Sequence, residues 1–126
     1  MMKAPKITVE EFYAENASSL GMRLLTGPSG LRRLIKEPTV NRPGLALAGF
    51  TKYFANKRIQ TIGSAESTYL KSLTKEERLK RFENICSCKI PGVVFSRNLK
   101  PEGDFLAAAE KLDVPVFRSP LITMKF

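Results

Sequence analysis

The stretch Gly44-Leu-Ala-Leu-Ala-Gly49-Phe50-Thr51 has the glycine spacing of a phosphate-binding loop, with Thr51 where a magnesium ligand would stand. Phe50, however, occupies the place of the lysine that must reach the β- and γ-phosphates, and the residues between the glycines are apolar. A closely packed helix is the expected structure here, not a nucleotide loop. Cys86 and Cys88 form a C-x-C pair. A metal site would need further ligands and a redox pair a lowered thiol pKa, and neither can be argued from the neighbours. Glu76, Glu77 and Glu83 lie among Lys75, Lys80 and Arg81 at helical spacing, which reads as ion pairing along a helix surface. The turn Gly27-Pro28-Ser29-Gly30 could offer backbone N–H groups to an anion, a plain turn being the simpler reading. Arg42, Arg58 and Arg97 are each expected at the edge of an element, where ligand contacts gather in α/β sheets, and are the candidate ligand-binding residues. No residue is assigned a catalytic, cofactor-binding or metal-binding role.

The composition narrows the chemistry further. The 126 residues contain no His, no Trp and two Cys. Serine or cysteine hydrolase machinery that uses an imidazole base is excluded, as is His-ligated zinc. One cysteine pair is too few for a disulfide scaffold. No apolar run approaches the roughly 20 residues of a membrane helix, and the N-terminus lacks the apolar core of a secretory signal. A soluble cytoplasmic protein is expected. The formal charge is +9, and residues 23–58 hold eight cations (Arg23, Arg32, Arg33, Lys36, Arg42, Lys52, Lys57, Arg58) against Glu37 alone, a local balance of +7. That region reads as a solvated basic face, or as a surface for an anion or an acidic partner. Nucleic acid is the less favoured partner, because no run of like charge exceeds two and aromatics do not alternate with the basic residues.

These residues need elements to position them. Thr8-Val-Glu-Glu11 and Thr74-Lys-Glu-Glu77 are Thr-x-x-Glu capping boxes, each predicting a helix start. The first helix should carry Val9, Phe12 and Leu20 on one side and stop at Gly21; the second places Leu79, Phe82, Ile85 and Cys86 on a stripe. Met22–Thr26 and Leu31–Ile35 are strand candidates on either side of the 27–30 turn. Pro43 suits a first helical position, opening an apolar segment that runs to Tyr53 and Phe54. Arg58–Ile62 alternates polar and apolar side chains and reads as a strand, followed by a helix from Ser64 with Tyr69, Leu70 and Leu73. Val93-Val-Phe95 is a continuous apolar run of the kind buried on both faces. Pro101 begins a helix burying Phe105, Ala108, Ala109 and Leu112, Val114–Phe117 forms the last strand, and Ser119-Pro120 opens a helix reaching Phe126.

Strands alternating with helices predict an α/β fold: one three-layer-like domain over 1–126, with a mixed, partly parallel sheet flanked by helices. An apolar Ile-Thr-Met-Lys-Phe end just after a helix start suggests a segment of a longer protein.

One pattern is more specific. Arg42-Pro-Gly-Leu45, Leu47-Ala-Gly-Phe50 and Tyr53-Phe54 are followed by Arg58-Ile-Gln60, Gly63, Glu66 and Tyr69-Leu70. Ile90-Pro91, Ser96-Arg97-Asn98-Leu99, Pro101 and Pro115 come later. Their order and spacing resemble the N-terminal domain of the bacterial HPr kinase/phosphorylase family. The resemblance implies a fold similar to the Mur ligase N-terminal domain. It also implies a parent protein that phosphorylates and dephosphorylates a serine of the phosphocarrier HPr in carbon catabolite regulation. ATP or pyrophosphate with Mg2+ would be used in a separate C-terminal P-loop domain, and the full-length protein would be a homo-hexamer. This chain, without Gly-x-x-x-x-Gly-Lys-(Ser/Thr), would then be the regulatory or scaffold domain, with no cofactor of its own. The alternative is a stand-alone sensor that binds a phosphorylated metabolite or nucleotide-sugar on the basic 23–58 region, and a nucleic-acid module is the weakest reading.

Overall fold

The structure, a computed structural model, describes residues 7–37, 40–52 and 54–121. Among them, four strands form one sheet: β2 (Arg23–Leu24), β4 (Gln60–Ile62), β5 (Val93–Phe95) and β6 (Val116–Arg118), in the order β2-β6-β5-β4. The β4, β5 and β6 strands are parallel, β2 is antiparallel to β6, and Asn41 extends the far side by a parallel bridge to Gln60. A separate antiparallel pair joins β1 (Ile7–Thr8) to β3 (Leu34–Ile35). The mixed, partly parallel sheet expected from the alternation of elements is present.

Helices and turns cover both faces of this sheet. On one, Ile62, Val93, Phe95 and Val116 pack against α3 (Ser64–Lys71), α4 (Lys75–Cys86) and α5 (Gly103–Lys111) through Leu70, Phe82, Ile85, Phe105 and Ala109. Phe82 stacks on Phe105 with ring centroids 4.5 Å apart, tying α4 to α5. On the other face, Ile59, Val94 and Phe117 meet Val9 of α1 (Val9–Asn16), Met22 and Ile35, and Tyr13 lies over the Phe117 ring. Successive β5 side chains thus feed different cores, so Val93-Val-Phe95 has no polar position.

The helix starts follow their caps. Thr8 caps α1 with both bonds of the box, its hydroxyl accepting from the Glu11 amide while Glu11 Oε1 accepts from the Thr8 amide. Thr74 caps α4 through the Glu77 amide.

Several expectations are corrected. The Arg58–Ile62 alternation does not separate an inner from an outer face, because Ile59, Gln60, Thr61 and Ile62 are all buried. Only Leu34–Ile35 of the second strand candidate is strand, since Pro28–Arg32 winds into a 3-10 turn. The apolar segment after Pro43 is a single helical turn, α2 (Gly44–Leu47), with Pro43 at the cap and not inside the helix. Gly49, at φ 104°, ends it: the Gly49 amide donates to Ala46 O and the Phe50 amide to Leu45 O, the paired bonds of a Schellman motif. The first helix likewise stops at Asn16, before Gly21. Leu112 is more than a third exposed, because α5 has already ended at Lys111 and the chain turns at Asp113 with φ 56°. Tyr53 and the body of the helix proposed after Ser119-Pro120 lie outside the described residues.

Candidate functional site

Asn41 lies beside β4, its amide donating to Ile59 O (2.9 Å) and its carbonyl accepting from the Thr61 amide (2.8 Å). This pairing carries Arg42 to the carboxyl end of the sheet. There the Arg42 guanidinium donates from Nε to Glu66 Oε2 (3.2 Å) and from Nη2 to Glu66 Oε1 (3.0 Å). Glu66 sits in the first turn of α3 and is buried, and its Oε1 also accepts from the Gly63 amide at 2.8 Å. One carboxylate therefore caps a helix, complements its dipole and orients an arginine from another element. Gln60 is equally committed: Oε1 accepts from Asn41 Nδ2 (2.7 Å), and Nε2 donates to the carbonyls of Ala55 and Arg58. No polar atom of this buried amide is left unpaired, which is how a strand can afford a fully buried Gln.

Beside Arg42 and α2 lies an open hollow of about 360 Å³, lined in part by Arg42, Leu45, Ala46, Phe50, Lys52 and Phe54. Leu45 and Phe50 stand 75% and 71% exposed, the largest exposures among the big apolar side chains of the described residues. The Schellman turn at Gly49 ties their backbones together, the Phe50 amide donating to Leu45 O at 2.9 Å.

The three arginines singled out above do not form one site. Arg42 and Arg97 both lie at the carboxyl ends of parallel strands, beside β4 and just after β5. Arg58 precedes β4 at the opposite end and donates to Glu37 Oε1 at 3.1 Å on the surface. Arg97 and Asn98 both have φ 56°, held there by Arg97 N–H to Leu121 O and Asn98 N–H to Ser119 O. The basic region is also partly consumed by the fold. Arg33 donates to the carbonyls of Asp113 and Leu112, closing the C-terminus of α5, and to that of Ile90 ahead of β5. The 27–30 turn does meet an anion, but one from its own chain: the Gly27 amide donates to the Glu110 carboxylate (2.8 Å), and the Ser29 hydroxyl donates to Asp113 Oδ1 (2.7 Å).

The cysteines do not form a reactive pair. Burial pushes the Cys86 thiol up to about 12 and raises that of the half-buried Cys88 as well. Asn41 is the clasp residue that the sequence did not single out, and Leu45, Phe50 and Lys52 were read there for other reasons than the hollow they line. Gln60 and Glu66 were visible within the quoted pattern, but not their partners.

The family described as "HPr Serine kinase N terminus" matches residues 7–126. The chain belongs to this family. Among its relatives, the HPr kinase/phosphorylase of Shouchella clausii is 41% identical over 100 residues, covering 79% of this chain and 32% of that protein. The HPr kinase/phosphorylase of Chloroherpeton thalassium is 36% identical over 127 residues, covering 99% and 37%. The chain thus spans about a third of the length of the curated relatives it matches. A solved structure of the CBS and DRTGG domains from the regulatory region of Clostridium perfringens pyrophosphatase, complexed with the activator diadenosine tetraphosphate, shares the fold. Its TM-score is 0.62 at 10% identity, covering 89% of this chain and 42% of that one. Arg42, Gln60, Gly63 and Glu66 of the clasp are also among the residues on which the resemblance rests. Among the described residues no helix is long and apolar enough to cross a membrane.

Proposed function

We propose that this chain is the non-catalytic regulatory or scaffold domain of a cytoplasmic HPr kinase/phosphorylase. In this reading a separate C-terminal domain of the same polypeptide performs phosphorylation and dephosphorylation of a serine on HPr in carbon catabolite regulation, and the full-length protein is a homo-hexamer. The observation that carries the reading is the clasp: Arg42, Gln60 and Glu66 bond to one another's elements and to the backbone. Groups spent in this way hold a fold together and are not poised for transfer chemistry. The solved structure that shares this fold comes from the regulatory region of its own protein, a setting in keeping with a regulatory role.

ATP with Mg2+ does not fit residues 44–51. Phe50 replaces the required lysine, and the segment forms a helical turn whose end is closed by its own backbone bonds. The test is direct. The purified 126-residue chain, incubated with HPr, ATP or pyrophosphate and Mg2+, should give neither phosphoserine on HPr nor hydrolysis above the blank. ATP-dependent phosphorylation of HPr by this chain alone would overturn the reading.

A further inference from the structure

We propose that the hollow beside Arg42 and α2 is a binding site for a small aromatic phosphate, of the nucleoside monophosphate kind. Its volume of about 360 Å³ is in the range of small-molecule sites, and its composition has their usual form: mostly apolar walls with a few placed polar groups. Leu45 and Phe50 are largely exposed, whereas Ala46, which lines the same hollow, belongs to the core and Phe54 packs against that core. A flat ring laid against Phe50 and Leu45 would take both out of water.

The charge of the site selects the other half of the ligand. Arg42 and Lys52 line the hollow, and among the described residues none that lines it is acidic. Glu66 holds the Nε and Nη2 edge of Arg42, so the guanidinium is oriented before any ligand arrives; among the described residues its Nη1 has no partner. A guanidinium already oriented by Glu66, with a second cation lining the same largely apolar hollow, suits a phosphate attached to a ring. A second copy of the chain fits less well, because pairing this face with itself would bring two sets of Arg42 and Lys52 together.

The experiment is an amide and side-chain NMR titration of the 126-residue chain with AMP, UMP, adenosine and inorganic phosphate. AMP or UMP should give saturable shifts confined to residues 41–55, weakening as salt is raised. Adenosine and phosphate should each bind at least about tenfold more weakly than the nucleotide. Phe50→Ala should lower nucleotide affinity about tenfold with the melting temperature little changed, because the ring is exposed. Lys52→Glu should weaken binding in the same direction. Four results would overturn the proposal: no saturable shift with either nucleotide, shifts centred elsewhere such as near Arg97, phosphate binding as tightly as the nucleotide, or Phe50→Ala binding like the parent. Shifts of residues 41–55 that follow protein concentration without ligand would also overturn it, assigning the face to a second copy. None of these outcomes bears on whether the chain phosphorylates HPr, so the two proposals fail separately.

Discussion

Glu66 grips Arg42 with both carboxylate oxygens across 24 residues of sequence, and the oxygen that takes Nη2 also takes the Gly63 amide. The pair is lopsided, with Glu66 6% exposed and Arg42 48%. Removing the two partners therefore has different costs. Arg42→Ala leaves a buried carboxylate without its counter-charge and should destabilise by about 3 kcal/mol. Glu66→Gln keeps an acceptor for the Gly63 amide and leaves a guanidinium that water can reach, and should cost about 1 kcal/mol. Urea unfolding of the two variants, compared at equal m-value, checks the order.

Arg58 and Glu37 are the contrasting case. Both are at the surface, joined by a single 3.1 Å contact. Arg58→Ala should change stability by no more than about 0.5 kcal/mol, the usual scale of an exposed pair. A thermal melt in low salt is the sensitive measurement.

Arg33 offers a larger effect from a residue that resembles a surface cation in the sequence. Its three donor bonds close carbonyls at and near the C-terminus of α5. Arg33→Ala should cost about 2–3 kcal/mol. Arg33→Lys should recover only part of this, because a single ammonium cannot reproduce a planar fork. Hydrogen exchange of the α5 amides should rise together with the loss of stability.

Gly30 lies in the same junction. A Cβ there would be 2.2 Å from Asp113 O and 2.7 Å from Pro115 Cδ, so Gly30→Ala forces backbone apart and should destabilise by about 3 kcal/mol. Gly103→Ala, whose added methyl meets nothing within 4 Å in the first turn of α5, should be neutral or stabilising by about 0.5 kcal/mol. The two chemically identical substitutions should move the denaturation midpoint in opposite directions, or by very different amounts.

The thiols give a pH-dependent readout. Near pH 8, a disulfide reagent should modify Cys88 in the folded chain, more slowly than a free thiol, and Cys86 only after unfolding. Cys86 has a folded pKa of about 12 against an ordinary value of 9.0. Its contribution to stability is therefore complete below 9 and declines as pH rises from there toward 12. Cys86→Ala should remove that part of the alkaline decline while leaving the part due to other groups.

The sequence determined what depends on residues close together in the chain. Two Thr-x-x-Glu boxes placed the starts of α1 and α4, the unbroken Val93-Val-Phe95 run marked the central strand, and the spacing from Arg42 to Leu70 carried the family. Each of these rests on capping or periodicity over a few residues, so no distant partner is needed to read it. Tertiary structure decided how the charged and polar residues are used. Arg33, Arg42 and Arg58 look alike in the basic stretch, yet one closes a helix some 80 residues away, one is clasped by a buried glutamate and one pairs on the surface. Gln60 has the alternation of a half-exposed strand but is buried, because Asn41, Ala55 and Arg58 meet all its bonds only after the chain has folded back. Desolvation and hydrogen-bond satisfaction are properties of a position in space, and a charge pattern along the chain does not contain them.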